Sequence, residues 1–137
     1  MKLAIKTISL IILISSQVSG QNSNEVTTKS GLRYTILKVG SGEGATRGQE
    51  VAIYESMSYL SGKQIYSIEK PAPAVKFTLG KKQAIEGVDE GVTGMKVGEI
   101  RKLIIPPSLS KRSAYPNFLA KDSTLVYKIE LLEIMKK

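Results

Sequence analysis

The chain reads as an α+β domain, a strongly curved antiparallel sheet of about five strands wrapped around one short helix. Two stretches carry that reading. From Val75 to Ile105 a strand, a glycine-punctuated helix and a second strand follow one another with almost no slack. From Thr124 to Ile134 the pattern alternates, placing Leu125, Tyr127, Ile129 and Leu131 on one face and Lys128 and Glu130 on the other.

Taken in order, the chain opens on a segment that stands apart from the fold. Lys2 and Lys6 flank the start of a short apolar run, Ile8 to Ile14, broken only by Ser9, and Val18-Ser19-Gly20 supplies small residues before Gln21. This is the pattern of a secretory signal peptide over residues 1–20. The run falls well short of the roughly 20 residues that span a bilayer, so no stable membrane anchor is expected, and no cysteine follows it to carry a lipid. An exported protein, periplasmic or secreted after cleavage, is the expectation. Residues 21–30 are polar and aperiodic, a flexible leader. Residues 31–137 have the length of one compact domain.

Leu32 to Val39 reads as a first strand and Gly40-Ser41-Gly42-Glu43-Gly44 as a turn. The spacing Gly40, Gly42, Ala45 matches a dinucleotide fingerprint only formally, because Thr46-Arg47-Gly48-Gln49 cannot open a helix to hold a pyrophosphate. Glu50 to Leu60 is a long strand that turns at Ser61-Gly62-Lys63 and resumes over Gln64 to Ser67. Pro71 and Pro73 mark a loop or bulged edge. Val75 to Leu79 alternates, Gly80-Lys81-Lys82 turns, and Ile85, Val88 and Val92 then form a helical stripe. Gly87 and Gly91, four apart, suit close approach of that helix to a sheet, and Gly94 suits its C-terminal cap with Met95 as apolar cover. Ile100 to Ile105 is the next strand. Pro106 to Asp122 is long for an irregular connection and is therefore a functional candidate.

Lys and Arg number 20 against 12 Asp and Glu, a formal charge of +8, of which Lys2 and Lys6 contribute two. The excess would favour anionic surfaces, but such a charge more often serves only solubility. No nucleic-acid partner is expected, since export argues against one and the aromatics do not interleave with the basic residues. Cys and His are both absent. That removes the Ser-His-Asp triad, the cysteine nucleophile, the disulfide and any His or Cys zinc ligand. No cofactor or metal is expected, and any chemistry rests on carboxylates, lysine, hydroxyls or an apolar pocket. Hydrolysis by Asp89 and Glu90 fits poorly, because neighbours on a helix do not face each other.

Five blocks in order resemble the FKBP family of peptidyl-prolyl cis-trans isomerases: Arg47-Gly48-Gln49; Phe77-Thr78-Leu79-Gly80; Ile85 through Val92; Met95-Lys96-Val97-Gly98 running into Ile105-Pro106-Pro107; and Ser123 through Leu131. The resemblance spans about Gly31 to Ile134. It implies an FKBP-like fold, proline-containing polypeptide substrates and a mechanism without acid, base or metal; a monomer is the separate expectation, though the sequence leaves the oligomeric state open. An apolar pocket grips the proline ring and favours the twisted amide over the planar one, lowering a rotation barrier of roughly 18–20 kcal/mol.

The resemblance also assigns the site. Its catalytic positions fall on Glu55, Ile65, Tyr66, Val75, Ile85, Val88 and Tyr127, and its substrate-binding positions on Gln83, Ala84, Lys111, Tyr115 and Leu119. Several depart from the family pattern. Val88 stands where the family usually places tryptophan, Ile65-Tyr66 where it places phenylalanine then aspartate, Val75 at another phenylalanine, and Lys111 at the tyrosine after the double proline. Counting without a gap from Gly48 to Gly62 puts Glu55 at the family's strand tyrosine; a one-residue slip would bring in Tyr54 and invert every neighbour. A carboxylate there needs a partner, Lys111 or Arg112. Tyr115 is either a substitute aromatic or a loop anchor. A wider, less aromatic pocket is expected. The function is then isomerisation during folding of exported proteins or, alternatively, peptide binding by a catalytically weak or inactive FKBP-like module.

Overall fold

The computed structural model describes residues 24–135. The signal peptide expected at 1–20 lies outside them. Seven strands and one short helix follow in the order β1 (Val26–Thr27), β2 (Arg33–Lys38), β3 (Glu50–Tyr59), β4 (Gln64–Ile68), β5 (Val75–Thr78), α1 (Glu86–Val92), β6 (Ile100–Ile105) and β7 (Leu125–Met135). A single 3₁₀ turn, Pro107–Leu109, interrupts the long connection before β7. Among the described residues no helix is long and apolar enough to cross a membrane.

The sheet is antiparallel throughout, in the order β1-β2-β6-β7-β3-β4, with β5 also on β3. Seven strands form where about five are expected from the pattern, and the least visible one lies in the supposed leader. Val26 and Thr27 pair with Tyr34 and Arg33, so this part of residues 21–30 is an edge strand and not a flexible segment. The long β3 serves two short partners in succession: its first half pairs with β5 and its second with β4.

Alternation decides what is buried. On β7, Leu125, Tyr127, Ile129 and Leu131 all enter the core, as their period requires, and Lys128 stays exposed. On β3 the buried face carries Val51, Ile53 and Met57, with an irregularity against β7 between Ala52 and Ile53. Glu55 shares that inward face. On β6 the same period turns Arg101 inward with Leu103 and Ile105.

The helix is shorter than its stripe suggests. Ile85 is extended (φ −61°, ψ 152°) and caps the helix through its backbone, its carbonyl accepting from Val88 and Asp89. Its side chain thereby leaves the Val88–Val92 stripe and lies half-buried at the helix entrance. Gly94 ends the helix with φ 88°, a conformation that costs a side-chain-bearing residue, and Met95 behind it is fully buried. No helix follows Ala45; instead Ser41 bridges Val97, so the Gly40–Gly44 segment is a loop.

One charged pair sits inside. Glu99 and Arg101, 3% and 7% exposed, bond to each other through Oε2 and Nε. Arg101 also donates to the Gly91 carbonyl at 3.3 Å and stacks 4.5 Å over the Tyr34 ring, which ties β2, β6 and the end of α1 together.

Candidate functional site

The inward face of β3 and β7, the start of α1 and the 106–122 connection converge on one region. From the β3 side comes Glu55, settling the strand register: Tyr54 points the other way and donates to the Ala72 carbonyl at 3.0 Å. From β4, the next strand, the Tyr66 hydroxyl donates to Glu55 Oε1 at 2.8 Å. From β7 the Tyr127 ring, 2% exposed, presents its hydroxyl beside that of Tyr66. From the connection Arg112 donates through Nη2 to the Tyr127 hydroxyl at 3.3 Å and through Nε to the Ser110 carbonyl at 3.3 Å. The partner of Glu55 is thus Tyr66 with Arg112 nearby. Lys111, the other candidate, projects elsewhere.

The two positions where the resemblance places a tyrosine and an aspartate are occupied by Glu55 and Tyr66. Carboxyl and phenol are both present, in exchanged order, and they meet. What looks in the sequence like two losses is one carboxyl–phenol pair.

Burial sets the electrostatics. It pushes the Glu55 carboxyl above the ordinary carboxylate range, against the opposing pull of the Tyr66 hydrogen bond and the Arg112 charge. Burial, then the nearness of Glu55, holds the Tyr66 phenol far above its ordinary value; burial also raises Tyr127, opposed by Arg112. Both phenols are therefore neutral hydrogen-bonding groups at any working pH. For Glu55 the sign is definite. A carboxyl whose folded pKa is raised adds stability below the ordinary value, about 4.3 for Glu, and that stability is lost as pH rises through the folded value. Glu55→Gln keeps the acceptor for Tyr66 and abolishes the titration. It is expected to be more stable than the wild type at neutral pH and to flatten the pH slope above the ordinary carboxylate range. Denaturation curves across pH test this, and a variant less stable at neutral pH would show that Arg112 outweighs burial.

The apolar members expected at the site belong to, or pack against, one core cluster that also holds Tyr127. Ile65, Val75, Ala84, Ile85 and Tyr115 are half-buried against the core. Val88, Tyr127 and Leu119 are 3%, 2% and 5% exposed. The aliphatic Val88 leaves this part of the site without the aromatic surface that a tryptophan would give. Tyr115 packs on the core with the Lys121 ammonium 5.5 Å over its ring, an anchoring arrangement. The connection itself is held down by buried Leu109 and Leu119 and by the Tyr59 hydroxyl, which donates to the Phe118 carbonyl.

An open cleft of about 450 Å³ lies beside the helix entrance, where Ala84, Ile85 and Lys111 meet Arg47 and Lys82. Gln83 is exposed and does not line it; its side-chain oxygen accepts from the Thr78 backbone at 2.8 Å, a turn-forming contact. Arg47 and Lys82 are the residues that sequence reasoning passed over. Their signals were present, Arg47 in a family block and Lys82 in the Gly80 turn, but only the fold brings them together.

Known proteins agree with this architecture. Residues 41–132 match the family described as FKBP-type peptidyl-prolyl cis-trans isomerase. FK506-binding protein 1A of Neurospora crassa is 36% identical over 106 residues, covering 76% of this chain and 88% of that protein. Human peptidyl-prolyl cis-trans isomerase FKBP14 is 39% identical over 93 residues, 65% of this chain and 44% of the relative. The 46 kDa FK506-binding nuclear protein of Spodoptera frugiperda is 34% identical over 105 residues, but the match spans only 26% of that longer protein. Among solved structures, FkpA from Escherichia coli superposes with a TM-score of 0.72 at 28% identity, covering 84% of this chain and 53% of that one. AtFKBP13 gives 0.71 at 24% identity over 81% and 98%, a likeness of fold.

Proposed function

The chain belongs to the FKBP-type peptidyl-prolyl cis-trans isomerase family, and on that premise we propose that it accelerates rotation about X-Pro bonds in exported polypeptides. The observation that carries this is the set of half-buried apolar side chains, Ile65, Val75, Ala84 and Ile85, packed on the same core as Tyr66 and Tyr127, whose hydroxyls are neutral. Such a surface suits a proline ring and needs no titrating group. The planar amide resists rotation through resonance, with a barrier of roughly 18–20 kcal/mol. Twisting removes resonance and charge separation, so a dry, weakly polar site favours the twisted form relative to water.

The thinning of the aromatic lining favours a second reading. Val88 and Val75 stand where the family places aromatic side chains, and each such loss forfeits about 0.5–1.5 kcal/mol of stacking. A module that holds proline-containing segments without accelerating rotation would tolerate this lining. A protease-coupled assay on X-Pro peptides separates the two. Acceleration by the wild type is expected, and Ile85→Asp, which puts a charge at the half-buried entrance, is expected to cut kcat/KM by about tenfold or more. A wild-type rate equal to the uncatalysed one, with peptide still bound, would favour the non-catalytic module.

A further inference from the structure

Resting on that reading and narrowing its substrate class, we infer that the cleft at the helix entrance is a subsite for an acidic side chain close to the proline. Arg47, Lys82 and Lys111 line it together with Ala84 and Ile85, which continue into the apolar site. A ligand filling both places an apolar ring on one side and an anion on the other. A proline segment with a neighbouring Asp or Glu has that form.

Lys82 itself points to a purpose. Its φ of 57° makes it the one residue other than glycine with a left-handed backbone among the described residues. Asn or Gly takes that conformation readily, whereas a lysine there is uncommon. An unfavourable local conformation that delivers a charged side chain to an open cleft is the kind of strain associated with binding.

The cleft also carries acids, and their geometry is unlike that of the cations. Asp89 accepts from the Gly80 backbone at 2.9 Å, and Glu90 accepts from the Ser30 hydroxyl at 2.6 and 2.9 Å. Glu86 remains exposed on the helix side. The ion pairs formed among the described residues are Arg33–Glu25 and Arg101–Glu99, neither of them here. Lys82 and Lys111 thus have no carboxylate of the described residues within pairing distance. Asp89 and Glu90 keep their charge, since their donors are neutral, but both are held in place on the helix side. An incoming carboxylate finds the two ammonium groups free to pair next to an apolar wall, a geometry that selects by the position of the charge and weakens as salt rises.

The test is a set of X-Pro peptides differing only at the residues flanking the dipeptide, with Glu, Ala or Lys on either side, assayed for acceleration and titrated for binding by NMR. The full chain is expected to favour one Glu peptide over its Lys counterpart by about tenfold in kcat/KM at low salt, shrinking as salt rises. Lys82→Asn suits the left-handed position and removes the charge; it should narrow the preference, and Lys82→Glu should narrow it further or reverse it. Acceleration of all peptides alike, without charge preference in rate or affinity, would overturn the subsite and leave the isomerase reading standing. Selective binding of the Glu peptides with no acceleration of any would sustain the subsite and remove the isomerase reading.

Discussion

Arg101→Met is expected to lower the free energy of unfolding by about 3–5 kcal/mol, because it leaves Glu99 as a lone charge in the core. Glu99 is 3% exposed, and without Arg101 its remaining donor among the described residues is the Lys96 backbone at 3.3 Å. The substitution also removes the donor to the Gly91 carbonyl in the last turn of α1 and the stacking on Tyr34. Replacing both charges is a different matter. Two desolvated ions gain from each other little more than burial costs them, so Glu99→Met with Arg101→Met should recover most of the loss. Chemical denaturation of the wild type, both single variants and the double variant gives the coupling energy directly. A single variant no less stable than the double one would mean that the pair does not hold the β6 end of the helix.

Where burial is written as a period, the sequence alone was sufficient. Leu125, Tyr127, Ile129 and Leu131 alternate over a strand long enough to leave one reading, and Gly87 and Gly91 recur at one helical turn, which marks a helix lying against something. The two residues of β1 carry no period at all; they become a strand only because Tyr34 and Arg33 are beside them. Arg101 is instructive for the opposite reason. Period two assigns it to the buried face with Leu103 and Ile105, yet its charge argues for solvent, and only the presence of Glu99 resolves the conflict.

The site divides in the same way. The inward direction of Glu55 follows from counting along β3, a local property. That Tyr66, Tyr127 and Arg112 gather around it depends on three other segments and is a tertiary property.

The helix that carries Val88, with Ala84 and Ile85 at its entrance, is held by contact with β6, and Gly87→Ala should disturb both stability and activity. In a free helix this change is worth about 1 kcal/mol in favour of alanine. Here the added Cβ would lie 2.5 Å from Ile105 Cγ2 and 2.9 Å from its Cδ1. Ile105 is fully buried, and a branched side chain in a packed core has no other rotamer to take. The helix must therefore lift from the sheet or the core must spread, at an expected net cost of about 3 kcal/mol. Lifting also shifts Ile85 and Val88 relative to Tyr127 on β7, so kcat/KM on X-Pro peptides should fall in the fraction that remains folded. Ile105→Ala alone leaves a cavity and is destabilising too, by about 2–5 kcal/mol. Combined, the two changes should cost clearly less than their sum, because the new methyl group enters the space that the isoleucine vacates. Strict additivity in denaturant midpoints would show that the helix does not rest on β6 at this glycine, and that the position of the site is fixed from elsewhere.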